Sequence, residues 1–159
     1  AAIKAPSTEF KAGHAKYIFM PQLMDGTLLC ILPGDLIIQY PKAKLEVQDT
    51  IYGKKLNLTA MKANWSPARG DKEWPRVGLW RGLLAENITQ AFCARLLRNV
   101  LVNCSDVIAH VHDEIIMEVP LDKAEERKAE LETLMNDIPS WAVGMPLAAK
   151  PTIMTRYGK

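Results

Sequence analysis

The sequence predicts a mixed α/β protein of the α+β type, an antiparallel sheet with one long helix and one shorter helix packed on it. Three observations carry this. Residues 107–120, VIAHVHDEIIMEVP, place two Val- and Ile-rich runs around the polar centre His112-Asp113-Glu114, the composition of two short strands and a turn. Residues 17–40 hold three apolar runs separated by turn chemistry, Pro21 with Asp25-Gly26 and then Pro33-Gly34-Asp35. Residues 79–103 repeat Trp80, Leu84, Ile88, Phe92, Leu96 and Val100 at every fourth position, the period of an amphipathic helix.

The chain has 159 residues, one domain's worth and enough for a hydrophobic core. It is 48% apolar and 24% charged, as ordinary globular proteins are. No apolar run reaches the roughly 18–20 residues that cross a bilayer, and AAIKAPSTEF at the start lacks the apolar centre of a signal peptide. Cys30, Cys93 and Cys104 are odd in number and widely spaced. They fit neither a zinc pattern nor a disulfide framework, so a reducing, cytoplasmic setting is expected. Net charge is +2 but uneven. Residues 1–85 hold 12 Lys/Arg against 7 Asp/Glu, and residues 86–159 hold 8 against 11. The basic half suits either a phosphate-facing or a merely solvated surface. The acidic half agrees with a cation site, because gathered carboxylates repel without one.

Residues 1–16 show no period and read as a flexible or loosely docked lead-in. His14 stands alone there, and a metal site needs several converging groups. Strands follow at Tyr17 to Met20, Thr27 to Leu32 and Leu36 to Tyr40, with Pro33-Gly34 marking a hairpin. Residues 41–78 interleave Lys42, Lys44, Lys54, Lys55, Lys62, Arg69, Lys72 and Arg76 with Tyr52, Trp65 and Trp74. Such a mixture suits a nucleic-acid surface or an amphipathic loop whose Trp side chains anchor it to a core. Ser66 to Asp71 is loop chemistry.

The apolar stripe of residues 79–103 is the core-facing side of that helix. Asn87, Gln90, Ala94 and Arg98 fall on another stripe. Asn87 and Gln90 lie one turn apart and present amide donors and acceptors together. Such a pair suits the acceptors that line a DNA minor groove, and it equally suits two solvated amides. After the hairpin, Asp122 with Glu125 three residues on has capping-box spacing. The helix it opens runs to about Asn136 with a solvated charged face, and Pro139 follows its end.

At the hairpin itself, a turn lets neighbouring side chains converge where a strand would send them to opposite faces. Two carboxylates, Asp113 and Glu114, at an exposed tip can therefore reach a divalent metal. An ordinary charged turn has the same composition.

Three separated stretches, in order, resemble the phage-type members of family A DNA polymerases. The V-H-D-E-I of residues 111–115, followed by E-V-P, resembles motif C. E-N-I-T-Q-A at residues 86–91 is close to that group's E-N-I-V-Q-A. Met145-Pro146-Leu147-Ala148-Ala149 and Arg156-Tyr157 resemble its closing run. L-P-G-D-L-I-I-Q-Y-P at residues 32–41 is similar to a further stretch that follows the fingers helices. The resemblance implies a palm hairpin in which Asp113 is a ligand of two catalytic Mg2+ ions, with Glu114 beside it and His112 near the primer end. It implies that Asn87 and Gln90 contact the primer–template duplex. The chain departs from the pattern at Asp35, where the group has a basic residue, at Leu83, where it has Lys, and at Leu96, where it has Asp. Arg81 is the cation available upstream of Asn87 as a further DNA contact.

The motif A of the family (D-Y-S-x-I-E) and its fingers motif B are absent from this sequence. Two-metal transfer needs carboxylates from different segments and a cation for the triphosphate. The resemblance thus implies the C-terminal part of a polymerase that needs a complementary polymerase fragment carrying motifs A and B, acts on a DNA primer–template with deoxynucleoside triphosphates, and is inactive alone. Two other readings compete. A metal hydrolase built on His110, His112, Asp113 and Glu114 lacks the second ligand pair that zinc needs. A non-catalytic DNA-binding or assembly module with the polymerase shape has no need of both carboxylates.

Overall fold

The computed structural model describes residues 1–51, 53–62 and 74–158. The fold is α+β, with antiparallel sheets and two α-helices. The chain forms two compact units, residues 1–89 and 90–159.

In the first unit four strands follow one another in an antiparallel meander: β1 (Phe10–Ala12), β2 (Ala15–Met20), β3 (Thr27–Leu32) and β4 (Leu36–Pro41). Leu28 lies opposite Phe19 and Tyr40, and Cys30 lies opposite Tyr17 and Ile38. Side chains alternate across a strand, so Leu28, Cys30 and Leu32 share one face, and all three are buried. This is the core of the unit. Burial raises the pKa of Tyr17, Cys30 and Tyr40 above their ordinary values. The turn before β3 requires Gly26: its φ is +98°, and a Cβ there would sit 2.9 Å from the Phe19 ring.

The three runs expected between residues 17 and 40 are these strands. Residues 1–16, read as a lead-in without period, contain a 3-10 turn at Ala2–Lys4 and the strand β1. Ala2 is buried, and the Ser7 N–H donates to the Phe19 carbonyl at 2.8 Å.

A second sheet fills much of residues 41–78: β5 (Lys44–Thr50), β6 (Gly53–Met61) and β7 (Arg76–Gly78), all antiparallel. Sequence reading missed it. The alternation is present in Leu45-Glu46-Val47 and Leu56-Asn57-Leu58, but Val47 and Leu56, which lie opposite each other, are exposed. The stronger ties are polar. Thr59 is fully buried, and Arg76 Nη1 donates to its Oγ1 at 3.0 Å and to the Lys42 carbonyl at 2.9 Å. The hydrogen bond from Lys44 holds the Glu46 carboxyl below the usual range. Tyr52, Trp65, Arg69, Lys72 and the Ser66 to Asp71 loop lie outside the described residues. Trp74 is exposed and anchors no core.

Helix α1 runs from Arg81 to Asn103, two residues shorter at its start than the periodicity predicts. Its stripe needs correction as a core. Leu84, Ile88, Phe92 and Leu96 are half-buried, and only Val100 is buried. Trp80 is 66% exposed. Its ring lies over Gly82, where any Cβ would collide with it, so it covers the helix start instead of entering a core. No helix among the described residues is long and apolar enough to cross a membrane.

In the second unit, β8 (Val107–Val111) and β9 (Glu114–Met117) form an antiparallel pair, and α2 (Ala124–Asn136) follows a 3-10 turn at Leu121–Lys123. Asp122 lies inside that turn and does not cap α2, whose first residues have no side-chain cap. Ala124 and Leu131 are its buried residues. Phe92 of α1 stacks on Trp141 with ring centroids 5.9 Å apart. The tail beyond Val143 has no regular secondary structure.

Candidate active site

The hairpin forms where the sequence places it, with a tighter turn. Val111 pairs with Glu114, which leaves His112 and Asp113 as the turn. Two-residue hairpins match the twist of their strands when a central residue takes positive φ. His112 does so at φ 52°, and His tolerates that region better than most residues. The expectation of three turn residues with both carboxylates at the tip is thus corrected. Asp113 is exposed at the tip, whereas Glu114 is the first residue of β9 and half-buried. A register shift between Val107 and Ala109 gives β8 one extra residue near its start, a bulge that increases local twist.

The base of the hairpin is held by α2. Asp106, at φ 62°, accepts from the Glu118 N–H at 3.2 Å, closing the two strands below the ladder. Arg127 reaches across to this corner. Its Nη2 forms an ion pair with Asp106 Oδ2 at 3.0 Å and donates to the Ser105 carbonyl at 3.1 Å and to Ser105 Oγ at 2.8 Å. Its Nη1 pairs with Glu130. Arg127 Nε is buried with no hydrogen-bond partner. One guanidinium thereby ties the turn after α1 to α2.

The tail lines a cleft beside the hairpin, a space of about 1180 Å³ whose lining includes Leu96, Val100, Asp113, Glu114, Arg127 and Tyr157. Asn136, the last residue of α2, grips it by both amide groups. Its Nδ2 donates to the Ala149 carbonyl at 3.0 Å, and its Oδ1 accepts from the Ala149 N–H at 2.9 Å. Further along, the Tyr157 hydroxyl donates to Glu114 Oε2 at 3.2 Å.

The structure therefore brings His112, Asp113 and Glu114 together with Tyr157 in the second unit. Arg81 and Asn87 belong to the first. Arg81 is exposed at the first turn of α1. Asn87 is half-buried, and its Nδ2 donates to the Tyr40 hydroxyl at 3.2 Å. Gln90 is exposed on α1. Residue periodicity could not reveal the roles of Arg127 and Asn136, which rest on contacts 21 and 13 residues away in the chain. Tyr157 stood in a matched motif without a role.

Asp113 and Glu114 offer oxygen donors, the kind that hard divalent cations prefer. Among the described residues no group of three His, Cys, Asp or Glu converges to hold a metal. Two adjacent carboxylates suit part of the oxygen shell of a hard divalent cation. They do not fit the self-contained hydrolase built on His110 and His112, for which the described residues provide no cluster.

No family model matches the chain, and no solved structure matches it. It is similar to the DNA polymerase of Bacillus phage SP02, with 33% identity over 138 residues, 84% of this chain. The chain spans 20% of the length of that relative. Over most of its length the chain is similar to one fifth of a phage DNA polymerase, as its motifs imply and as a portion of such an enzyme would be.

Proposed function

We propose that the chain is the motif C-bearing palm portion of a family A DNA-directed DNA polymerase. The observation that carries this reading is the presentation of Asp113, exposed on a two-residue hairpin tip with Glu114 next to it, in a chain similar to a phage DNA polymerase.

In this reading Asp113 is a metal ligand and Glu114 orients or assists it. Two Mg2+ ions, when bound, would activate the primer 3′ oxygen and neutralise the triphosphate. His112, at the left-handed position of the turn, faces the primer terminus. Asn87, Gln90 and Arg81 of α1 contact the primer–template: the amides read groove acceptors, and the guanidinium meets phosphate. The primer oxygen displaces pyrophosphate from the α-phosphorus of an incoming deoxynucleoside triphosphate. Catalysis of that step rests on positioning and charge stabilisation, so placement of one carboxylate weighs heavily. The remaining carboxylate and the triphosphate-binding Lys come from a polymerase segment carrying motifs A and B, and the reaction takes place in the host cytoplasm.

Primer extension with Mg2+ tests the reading. The 159-residue chain alone is expected to add no nucleotide, and the chain joined to its complementary polymerase segment is expected to extend the primer. Extension by the chain alone contradicts the division of carboxylates. No extension by the joined protein, with DNA binding retained, favours a non-catalytic binding module.

A further inference from the structure

The tail of the chain makes a strap across the hairpin cleft. It is held at one end by Asn136, which clasps both backbone groups of Ala149, and at the other by Tyr157 on Glu114. Between these two points residues 150–154 form no helix or strand. Two fixed ends reduce the freedom of a short segment, so the second contact forms at little further entropic cost. The hydroxyl at its end donates to Glu114 Oε2 at 3.2 Å, a directional contact on one carboxylate oxygen. Glu114 sits at the edge of β9, immediately after the exposed Asp113.

We propose that Tyr157 is a positioning residue: its hydroxyl sets the direction of the Glu114 carboxylate, and Asn136 acts through the strap to keep Tyr157 in place. The inference rests on the polymerase reading for its catalytic consequence. The strap itself stands on the three contacts alone. Tyr157→Phe keeps the ring and removes the donor. Asn136→Ala leaves Tyr157 intact and releases the far anchor.

The test uses the full polymerase, meaning this chain with its motif A and B segment, and has two arms. Hydrogen exchange of the chain reads the strap without any metal or substrate. Asn136→Ala removes the acceptor of the Ala149 N–H, and both it and Tyr157→Phe are expected to raise exchange at that amide, while α1 and α2 keep their protection. Unchanged exchange in both variants overturns the strap. In the kinetic arm, Tyr157→Phe is expected to lower kcat about three- to tenfold, with nucleotide KM and DNA Kd within twofold. That loss is expected to vanish in a Glu114→Ala background. A Tyr157→Phe loss that persists without Glu114, or no loss at all, overturns the positioning role. Asp113→Ala serves as the control for the underlying reading. Full activity of that variant contradicts the polymerase site, and the exchange arm still decides the strap.

Discussion

Arg127 Nη2 lies 3.0 Å from Asp106 Oδ2, and this pair fixes the corner from which the carboxylate-bearing hairpin starts. The same nitrogen donates to Ser105 twice. The guanidinium thus satisfies a turn whose backbone is in the left-handed region at Asp106. A short polar residue is suited to that conformation because its side chain can bond locally.

Replacing this clamp should loosen the hairpin more than replacing its acceptor. Arg127→Met removes every bond of the guanidinium and is expected to destabilise the protein by about 1–3 kcal/mol. Asp106→Asn keeps a side chain that tolerates positive φ, and half of the pair is solvated, so it should cost less than about 1 kcal/mol. Asp106→Val adds a β-branched residue in the left-handed region and should cost about 1–2 kcal/mol more than Asn. Urea midpoints of the three variants order these effects; an Asp106→Asn loss as large as that of Arg127→Met would contradict the clamp.

The Asn87 amide is shared between the fold and the proposed DNA surface. Its bond to the Tyr40 hydroxyl orients the side chain, leaving its Oδ1 for a ligand. Asn87→Ala is expected to cost about 0.5–1.5 kcal/mol of stability and to raise the Kd for primer–template. Tyr40→Phe should reproduce the stability loss with a smaller change in Kd. Paired denaturation and DNA-binding titrations check this, and equal binding losses in both variants would place the DNA effect in the fold.

Alkaline pH should weaken the first unit. Tyr17, Tyr40 and Cys30 all have raised pKa values, burial being the first cause for each. The Asn87 bond partly offsets the shift at Tyr40. The unfolded chain loses these protons near pH 8.5 for Cys and about 10 for Tyr, while the folded chain retains them. The folded state therefore binds more protons above those values, and stability falls as pH rises. The stabilisation is complete below about pH 8 and is lost progressively through and beyond pH 10. Urea unfolding between pH 7 and 11 should show the decline, and Cys30→Ala with Tyr17→Phe should flatten it. A flat profile in the parent chain would show that these groups ionise freely in the folded state.

Much of the architecture could be read from the residues where local and global signals agree. Thr27 to Leu32 and Leu36 to Tyr40 combine β-forming residues with Pro-Gly turn chemistry, and both are strands. Val107 to Val111 is likewise a strand over the span expected. The β5–β6 pair escaped because its alternating Leu and Val residues are diluted by Lys, Gln and Asn, and part of its apolar face stays in solvent. Trp80 misled the helix reading because period alone does not say whether a ring turns inward or folds back over a glycine. At the hairpin, the resemblance pointed to Asp113 and Glu114, but the turn length depended on cross-strand register. The contacts of Tyr157 and Arg127 are long-range in the chain, and no spacing rule reaches them.

The measurement that bears most directly on the central claim is single-turnover primer extension by the complete polymerase carrying Asp113→Ala. A metal-ligand carboxylate contributes several kcal/mol to a phosphoryl-transfer transition state, so the rate should fall by at least about 100-fold. Primer–template affinity and urea stability should stay near those of the parent, because Asp113 is exposed at the hairpin tip. Extension at the parent rate would contradict the assignment of the hairpin as the catalytic carboxylate site.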